Sequence, residues 1–533
     1  MLNKILYILF VIFLINGCHS SEGDFNKNNG IEIKEYSVVP DSGSMYGNYS
    51  VKIKTDVLPA NVKNLDVFIG NNKMYQYLYE NNIITGMTQG SSVSGYVDII
   101  IIADGVKYII KNGFKFNSNN YPEFVTMVSV GASYTHGWVN LGVKKDFQLS
   151  SPFAQLAKHL GVYFPQSFIK DNILAGIQLE SYKTSCTLSS LVNPFLIKTF
   201  EALKLLDKEG KDKFFLANYR LDPDIVPYNL GIGGNTIEDT VEGAGKGKMT
   251  VLTVFENLSY NPYVKLLDAL VDPPQGSPFK YAMGLKPTIL FSTDLIADDI
   301  LYYAPMSITP TTTNITSLKI IKEKLRKMFK QIDDNNSYAF IANLPVITVM
   351  PIFRLFKEQY LYMGYSTQEV NRWEMNVKNI AAAYSIALTE EADKYNNIFI
   401  VDFRGMINKI DSNTEFDYGS FKIGKGRVLI GDSELTMGFL GGLVSLDAIH
   451  LTKTGYALIA NMFIEEINKR LGYNIEYIDM KKVLAQDPYS TSKIKEAGVN
   501  IERCTKEFFT PIDLNLLKNG SFNGIDKIDI LKK

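Results

Sequence analysis

The spacing of apolar positions changes along the chain, and each change marks a different kind of structure. Ile5 to Ile15 form an unbroken apolar run behind Lys4. It is too short to span a bilayer and has the length and flank of a signal-peptide core. Ser20 to about Asn29 are polar, as in a flexible tether. Short β-type runs follow at Ile31 to Ile33, Tyr49 to Ile53, Val67 to Ile69, Tyr96 to Ile102 and Tyr108 to Ile110, separated by Gly, Pro, Asn and Ser. With turn residues between them and no helical period, they predict a small all-β sandwich over residues 31–117. Past Tyr121-Pro122 the pattern becomes an alternation. Candidate buried strands are Phe124 to Val130, Pro227 to Ile232, Thr288 to Phe291, Tyr338 to Ala342 and Ile398 to Phe403. Between them Pro152 to Leu160, Leu318 to Ile332 and Thr367 to Tyr395 repeat apolar residues at three and four, the period of an amphipathic helix. This order predicts an α/β domain, a parallel sheet covered by helices on both faces, with its site at the carboxyl ends of the strands. From about Tyr477 onward one amphipathic helix is expected.

Composition narrows the picture. The chain has 533 residues, 46% of them hydrophobic and 21% charged, with a net charge of −1. Beyond the leader that is more than one domain of the usual ~100–200 residues. No basic stripe is present to neutralise phosphates, so nucleic acid is not an expected partner. With three Cys and four His there is no zinc pattern. Cys186 and Cys504 can form one disulfide in an oxidising compartment, but a single pair in so long a chain is not a framework. Leu14-Ile15-Asn16-Gly17-Cys18 resembles the bacterial lipobox, in which the Cys is lipidated and becomes the first residue of the mature protein. That resemblance implies cleavage after residue 17, a lipid-anchored tether over 18–30, the membrane as a partner through Cys18, and a place in the bacterial cell envelope. The alternative is an ordinary secretory signal in which Cys18 is incidental. His19 is not the Asp associated with inner-membrane retention, which favours the outer membrane.

Two segments carry chemistry. The first candidate strand ends in Ser129-Val130-Gly131-Ala132-Ser133-Tyr134. Small residues around one serine at a strand end let its hydroxyl project beside backbone N–H groups. Far downstream stands Asp447-Ala448-Ile449-His450, then Gly455-Tyr456 opening a helix. A carboxylate three residues before a histidine can hold the imidazole tautomer and leave the other ring nitrogen to take a proton from a serine. His136, three residues past Ser133, is too close along the chain to be oriented by Asp447 and still face Ser133 without strain, and is assigned to a loop or a substrate rim. His159 reads as a partly buried helix residue, and Asp294, Asp299 and Asp402 as loop or cap residues. The 31 Tyr and 31 Phe are read as core and sheet composition rather than as a stacking platform.

Together these segments resemble the SGNH (GDSL-like) hydrolases over roughly residues 122–475, a family whose blocks supply Ser, Gly, Asn and His in that order. Gly131-Ala132-Ser133 stands at the GDS position, with Ala132 replacing Asp; Tyr228 to Thr236 resembles the second block, and Asp447-Ala448-Ile449-His450 the last. The resemblance implies a three-layer α/β/α, flavodoxin-like parallel sheet and a carboxylic ester hydrolase. Ser133, His450 and Asp447 would form its triad, with the N–H groups of Ser133 and Gly234 in the oxyanion hole and no metal or organic cofactor. Its substrates would be lipid acyl esters or O-acetyl groups on glycans. The third block departs from the family's Gly-x-Asn-Asp. Ile296-Ala297-Asp298-Asp299 puts Asp298 at the asparagine, while the earlier frame Phe291-Ser292-Thr293-Asp294 puts Thr293 there; neither offers an amide. A carboxylate there would repel the oxyanion; either Asp298 stays protonated and donates, or the backbone N–H groups of Ser133 and Gly234 suffice.

Upstream, Pro40-Asp41-Ser42-Gly43-Ser44-Met45-Tyr46-Gly47, Val67-Phe68-Ile69-Gly70 and Gly95-Tyr96-Val97-Asp98 resemble the IPT/TIG immunoglobulin-like family, which implies an Ig-like spacer. Residues 476–533 are left as a C-terminal extension. The competing class is a surface lipoprotein whose scaffold has lost activity and whose Ig-like domain binds. The absent asparagine and Ala132 motivate it; the intact Ser133, Asp447 and His450 speak against it.

Overall fold

Along Ser50–Lys54 every second side chain is buried, the signature of a strand with one face on a core. The computed structural model describes residues 30–171, 176–187, 220–222, 225–243, 276–301, 309–313 and 315–511. The expected leader, Cys18 and all but the last residue of the expected tether lie outside the described residues. Two compact units are present: one runs to Gly43 and over Gly47–Ser118, the other joins Ser44–Tyr46 to the chain from Asn119 onward.

The first unit is all-β. Its strands are β1 (Ile31–Glu32), β2 (Ser37–Val39), β3 (Ser42–Ser44), β4 (Ser50–Lys54), β5 (Leu65–Ile69), β6 (Asn72–Lys73), β7 (Tyr75–Glu80), β8 (Ile83–Met87), β9 (Gly95–Ala103) and β10 (Val106–Asn117). They form two sheets, β1-β10-β9-β5-β6 with β3 on β10, and β2-β4-β8-β7. Val51, Ile53 and Ile84 from one sheet and Val67, Ile69, Ile99, Ile101 and Ile110 from the other are buried. Asp104 and Gly105, both at positive φ, make the two-residue turn of the β9–β10 hairpin.

The second unit holds a five-stranded parallel sheet of β11 (Met127–Gly131), β12 (Asn229–Gly231), β13 (Ile289–Ser292), β14 (Tyr338–Ala342) and β15 (Ile398–Val401), in the order β12-β11-β13-β14-β15. β11 and β13 are buried at every position. That is why they read as continuous apolar runs rather than alternating ones. The helices used below are α1 (Ser133–His136), α2 (Pro152–Leu160), α3 (Ile237–Glu242), α4 (Pro278–Gly284), α5 (Asp298–Leu301), α6 (Leu318–Asp334), α7 (Pro351–Tyr362), α8 (Thr367–Ala392), α9 (Phe403–Asp411) and α10 (Lys453–Leu471).

The path from β11 to β12 runs one way along the sheet, and the paths from β13 to β14 and β15 run the other. With right-handed crossovers, α2 then lies on the opposite face from α6 and α8. Phe153 of α2 and Phe463 of α10 pack against Phe291 of β13, at ring separations of 5.2 and 5.8 Å, so α10 shares the α2 face. The order reverses between β11 and β13, and the crevice beyond their carboxyl ends is where such folds place a ligand.

A small antiparallel sheet of β16 (Phe416–Asp417), β17 (Lys422–Gly424), β18 (Arg427–Ile430) and β19 (Ser433–Leu435) precedes the Asp447 loop. After α10, helices α11 (Met480–Ala485), α12 (Thr491–Glu496) and α13 (Ile501–Phe508) pack into the core of the same unit through Met480, Ile494, Cys504 and Phe508. Cys186 and Cys504 are joined in a disulfide. Among the described residues no helix is long and apolar enough to cross a membrane.

Candidate active site

β11 ends at Gly131, with φ +151°. A Cβ there would lie 2.5 Å from Thr135 Oγ1 and 2.6 Å from Asp294 Oδ1, so glycine lets the chain turn against its neighbours. Ser133, half-buried, then opens the single turn α1. Asp294 reaches across from the end of β13, and its buried carboxylate accepts the N–H groups of Ala132 (2.9 Å) and Tyr134 (2.7 Å) and the hydroxyl of Thr135 (2.7 Å). Ser133 thus sits between two peptides pinned by one side chain. Burial pushes the Asp294 carboxyl above its ordinary range, while the hydrogen bonds from Thr135, Ala132, Tyr134 and Thr293 pull it back.

The second half of the site is a tight loop. Val444 and Leu451 pair as its neck, and Ala448 takes a left-handed turn at φ +67°. Asp447 Oδ1 accepts from Ser445 Oγ, Ile449 N and His450 N, while Oδ2 accepts from Leu141 N at 2.5 Å and bonds His450 Nδ1 at 2.6 Å. Burial raises the Asp447 carboxyl, but the charge and hydrogen bond of His450 and the loop N–H groups outweigh it and leave the carboxyl at about 2. An ionised carboxylate only accepts, so the Nδ1 facing it carries the hydrogen and Nε2 is left as a base.

The chain following Ser133 reaches both partners of that pair. Tyr134 donates its hydroxyl to Ile449 O at 2.6 Å, with its ring 6.1 Å from the His450 ring. The Trp138 indole stacks on His450 at 6.0 Å, and Asn140 Oδ1 takes the Leu446 N–H at 2.9 Å. The Ser133 hydroxyl itself makes no hydrogen bond among the described residues, His450 included. His136 is buried rather than on a rim. Burial lowers it to about 3, so it is neutral, and its Nδ1 takes the Trp138 N–H at 3.2 Å. His159 is exposed on α2, against the Glu476 carbonyl.

Gly233 and Gly234 turn directly after β12. A Cβ on Gly233 would lie 2.6 Å from Trp138 Nε1, so this turn lies against the same indole that covers His450. Of the two third-block frames, Thr293 is buried and its hydroxyl is spent on Thr135 (2.8 Å) and Asp294 (3.1 Å). Asp298 is buried at the start of α5, near enough to Tyr134 to help raise that hydroxyl. Asp299 binds the Ile237 N–H at the head of α3, and Asp402 caps α9.

Residues 211–463 match the GDSL-like Lipase/Acylhydrolase family. This GDSL-like stretch holds Gly234, Asp298, Asp447 and His450 and begins after Ser133. A crystal structure of a novel carbohydrate acetylesterase from Xanthomonas citri is similar at 9% identity and a TM-score of 0.23, over 68% of this chain and 66% of that one, just under two thirds. No curated protein matches the chain.

Tyr134, Trp138 and Asn140 carry no signal of such a role in the sequence, and Asp294, expected to be a loop or cap residue, instead holds the peptides around Ser133. Only Asp294 left a trace: the earlier third-block frame puts it at the final Asp of Gly-x-Asn-Asp.

Proposed function

We propose that this chain is a serine ester hydrolase. Ser133 attacks an ester carbonyl while His450 Nε2 takes its proton and returns it to the leaving alcohol. Water, activated by the same imidazole, then releases the acid. Asp447 orients His450, and the N–H groups of Ser133 and Gly234 bind the oxyanion, with Asp298 at the position of the family's asparagine. The observation that carries this reading is the buried Asp447–His450 hydrogen bond, held by the chain segment that leaves Ser133. The match of residues 211–463 to acylhydrolases supports it. Lipid acyl esters and O-acetylated glycans are the proposed substrates. A nitrophenyl acetate assay of wild type against Ser133→Ala tests it: full loss of turnover is expected, and equal rates would overturn it.

The proposed organisation of the chain is modular. Residues 1–17 form a signal peptide, 18–30 a tether lipidated at Cys18, 31–117 an Ig-like spacer of the IPT/TIG kind, 122–475 the hydrolase and 476–533 an extension. The protein then stands on the bacterial envelope, the outer membrane in preference to the inner, within reach of lipids and surface polymers. Incorporation of labelled palmitate, abolished by Cys18→Ser, is the expected result; labelling unaffected by that change would remove the anchor.

A further inference from the structure

The catalytic loop has a second support, and it comes from the far end of the chain. Leu446, the residue before Asp447, has its N–H on Asn140 and its carbonyl on the hydroxyl of Tyr182. The peptides on both sides of Leu446 are therefore each held by a side chain, and the Tyr182 bond falls on the one that leads into Asp447. Tyr182 is fully buried, and burial followed by the Asp447 charge raises its hydroxyl well above the usual range, so it stays a donor throughout the working pH. Yet Tyr182 sits on a four-residue helix, Ser181–Thr184, too short to hold itself.

What holds it is α13. The Arg503 guanidinium donates to the carbonyls of Tyr182 (2.9 Å) and Lys183 (3.1 Å), Glu507 accepts the Cys186 N–H (3.1 Å), and Cys504 is bonded to Cys186. The Tyr182 ring lies 6.2 Å from that of Phe439, which stacks on Phe508 of α13 at 4.0 Å. The same stretch meets the nucleophile side too, since Ile177 N bonds Asn140 O at 2.7 Å.

We infer that Tyr182 is a positioning residue for the Asp447–His450 pair, and that the Cys186–Cys504 disulfide with Arg503 holds it there. The C-terminal helix α13 is then part of the frame of the active site. This rests on the hydrolase reading above. Tyr182 touches no substrate; it acts by keeping Asp447 in line with His450 Nδ1, and displacement of a catalytic group by about 1 Å costs on the order of a hundredfold in rate.

The test uses the full chain and two readouts, phosphonylation of Ser133 by a fluorophosphonate, followed by mass spectrometry, and kcat and KM on nitrophenyl acetate. Tyr182→Phe keeps the ring and removes the donor. It is expected to slow both phosphonylation and kcat by about ten- to hundredfold, with KM and melting temperature close to wild type. Cys186→Ser with Cys504→Ser should slow them similarly, and adding Tyr182→Phe to that pair should slow them little further, because both act through one peptide. If the disulfide-free chain does not fold, Arg503→Met tests the same hold, and a wild-type rate there would overturn the role given to α13. Wild-type rates for a folded Tyr182→Phe, with Ser133 still labelled, would overturn the positioning role and leave the hydrolase reading intact. A wild type unlabelled at Ser133 and inert to the ester would overturn both.

Discussion

Asp294 sits 161 residues from Ser133 in sequence and governs the peptides on both sides of it. Its two oxygens replace water for three buried donors, Ala132 N–H, Tyr134 N–H and the Thr135 hydroxyl. Removing the acceptor strands those donors, and each buried group left unpaired costs about 1–3 kcal/mol. Asp294→Ala is therefore expected to lower the urea midpoint and to reduce ester turnover at least as far as stability alone predicts, with the residual enzyme showing a depressed kcat. Asp298→Asn, measured beside it, is expected to raise turnover by supplying the missing amide. A gain from Thr293→Asn alone would place the oxyanion site in the earlier frame. The contrast also explains what could be read in advance. Ser133, Asp447 and His450 were visible as candidates because the proposed chemistry calls for those side-chain types, with the Asp three residues before the His. Asp294 was not, because accepting hydrogen bonds is something any buried carboxylate can do, and only the pairing of β11 with β13 brings it to the right turn.

Elements with a sustained period were legible to within a few residues. Pro152–Leu160 and Tyr338–Ala342 occupy their expected spans, and the helix begun at Thr367 stops at Ala392, with Asp393 as its C-cap. Short ones were not. β7, Tyr-Gln-Tyr-Leu-Tyr-Glu, is an edge strand with its aromatic positions only half-buried, and β16 to β19 are two to four residues long, too brief to establish a period. Junctions between elements carry their own titration. The Asp299 carboxylate of α5 accepts the Ile237 N–H at the head of α3 at 2.8 Å. Burial, partly opposed by Thr316 and Ile237 and reinforced by Asp239 and Glu238, raises it from 3.8 to about 7. Between those values the folded chain holds a proton that the unfolded chain has released. This group therefore makes stability fall as pH rises from about 4 to about 7, by at most about 1.4 kcal/mol per pH unit. Asp299→Asn keeps the acceptor and removes the titration. Urea unfolding at pH 5 and pH 8 is expected to show a smaller loss between the two in the variant than in wild type; equal losses would mean that Asp299 is not the group responsible.

At the scale of the whole molecule the disulfide has a consequence separate from its role beside Tyr182. Cys186 and Cys504 are 318 residues apart in sequence and both belong to the second unit, whose sheet, β16 to β19 and C-terminal helices lie between or beside them. The all-β unit contains neither of these cysteines and has its own buried core of Val51, Ile53, Ile99 and Ile101. A cross-link acts on the entropy of the unfolded chain it closes, and losing a native one costs about 2–5 kcal/mol. That cost falls on the unit that contains the loop. Calorimetry of the intact protein is therefore expected to resolve two transitions. Cys186→Ser with Cys504→Ser should lower the one that tracks ester turnover and leave the other in place. A common downward shift of both would mean that the two units unfold as one, and that the all-β unit depends on the hydrolase for its stability rather than standing as a spacer with a fold of its own.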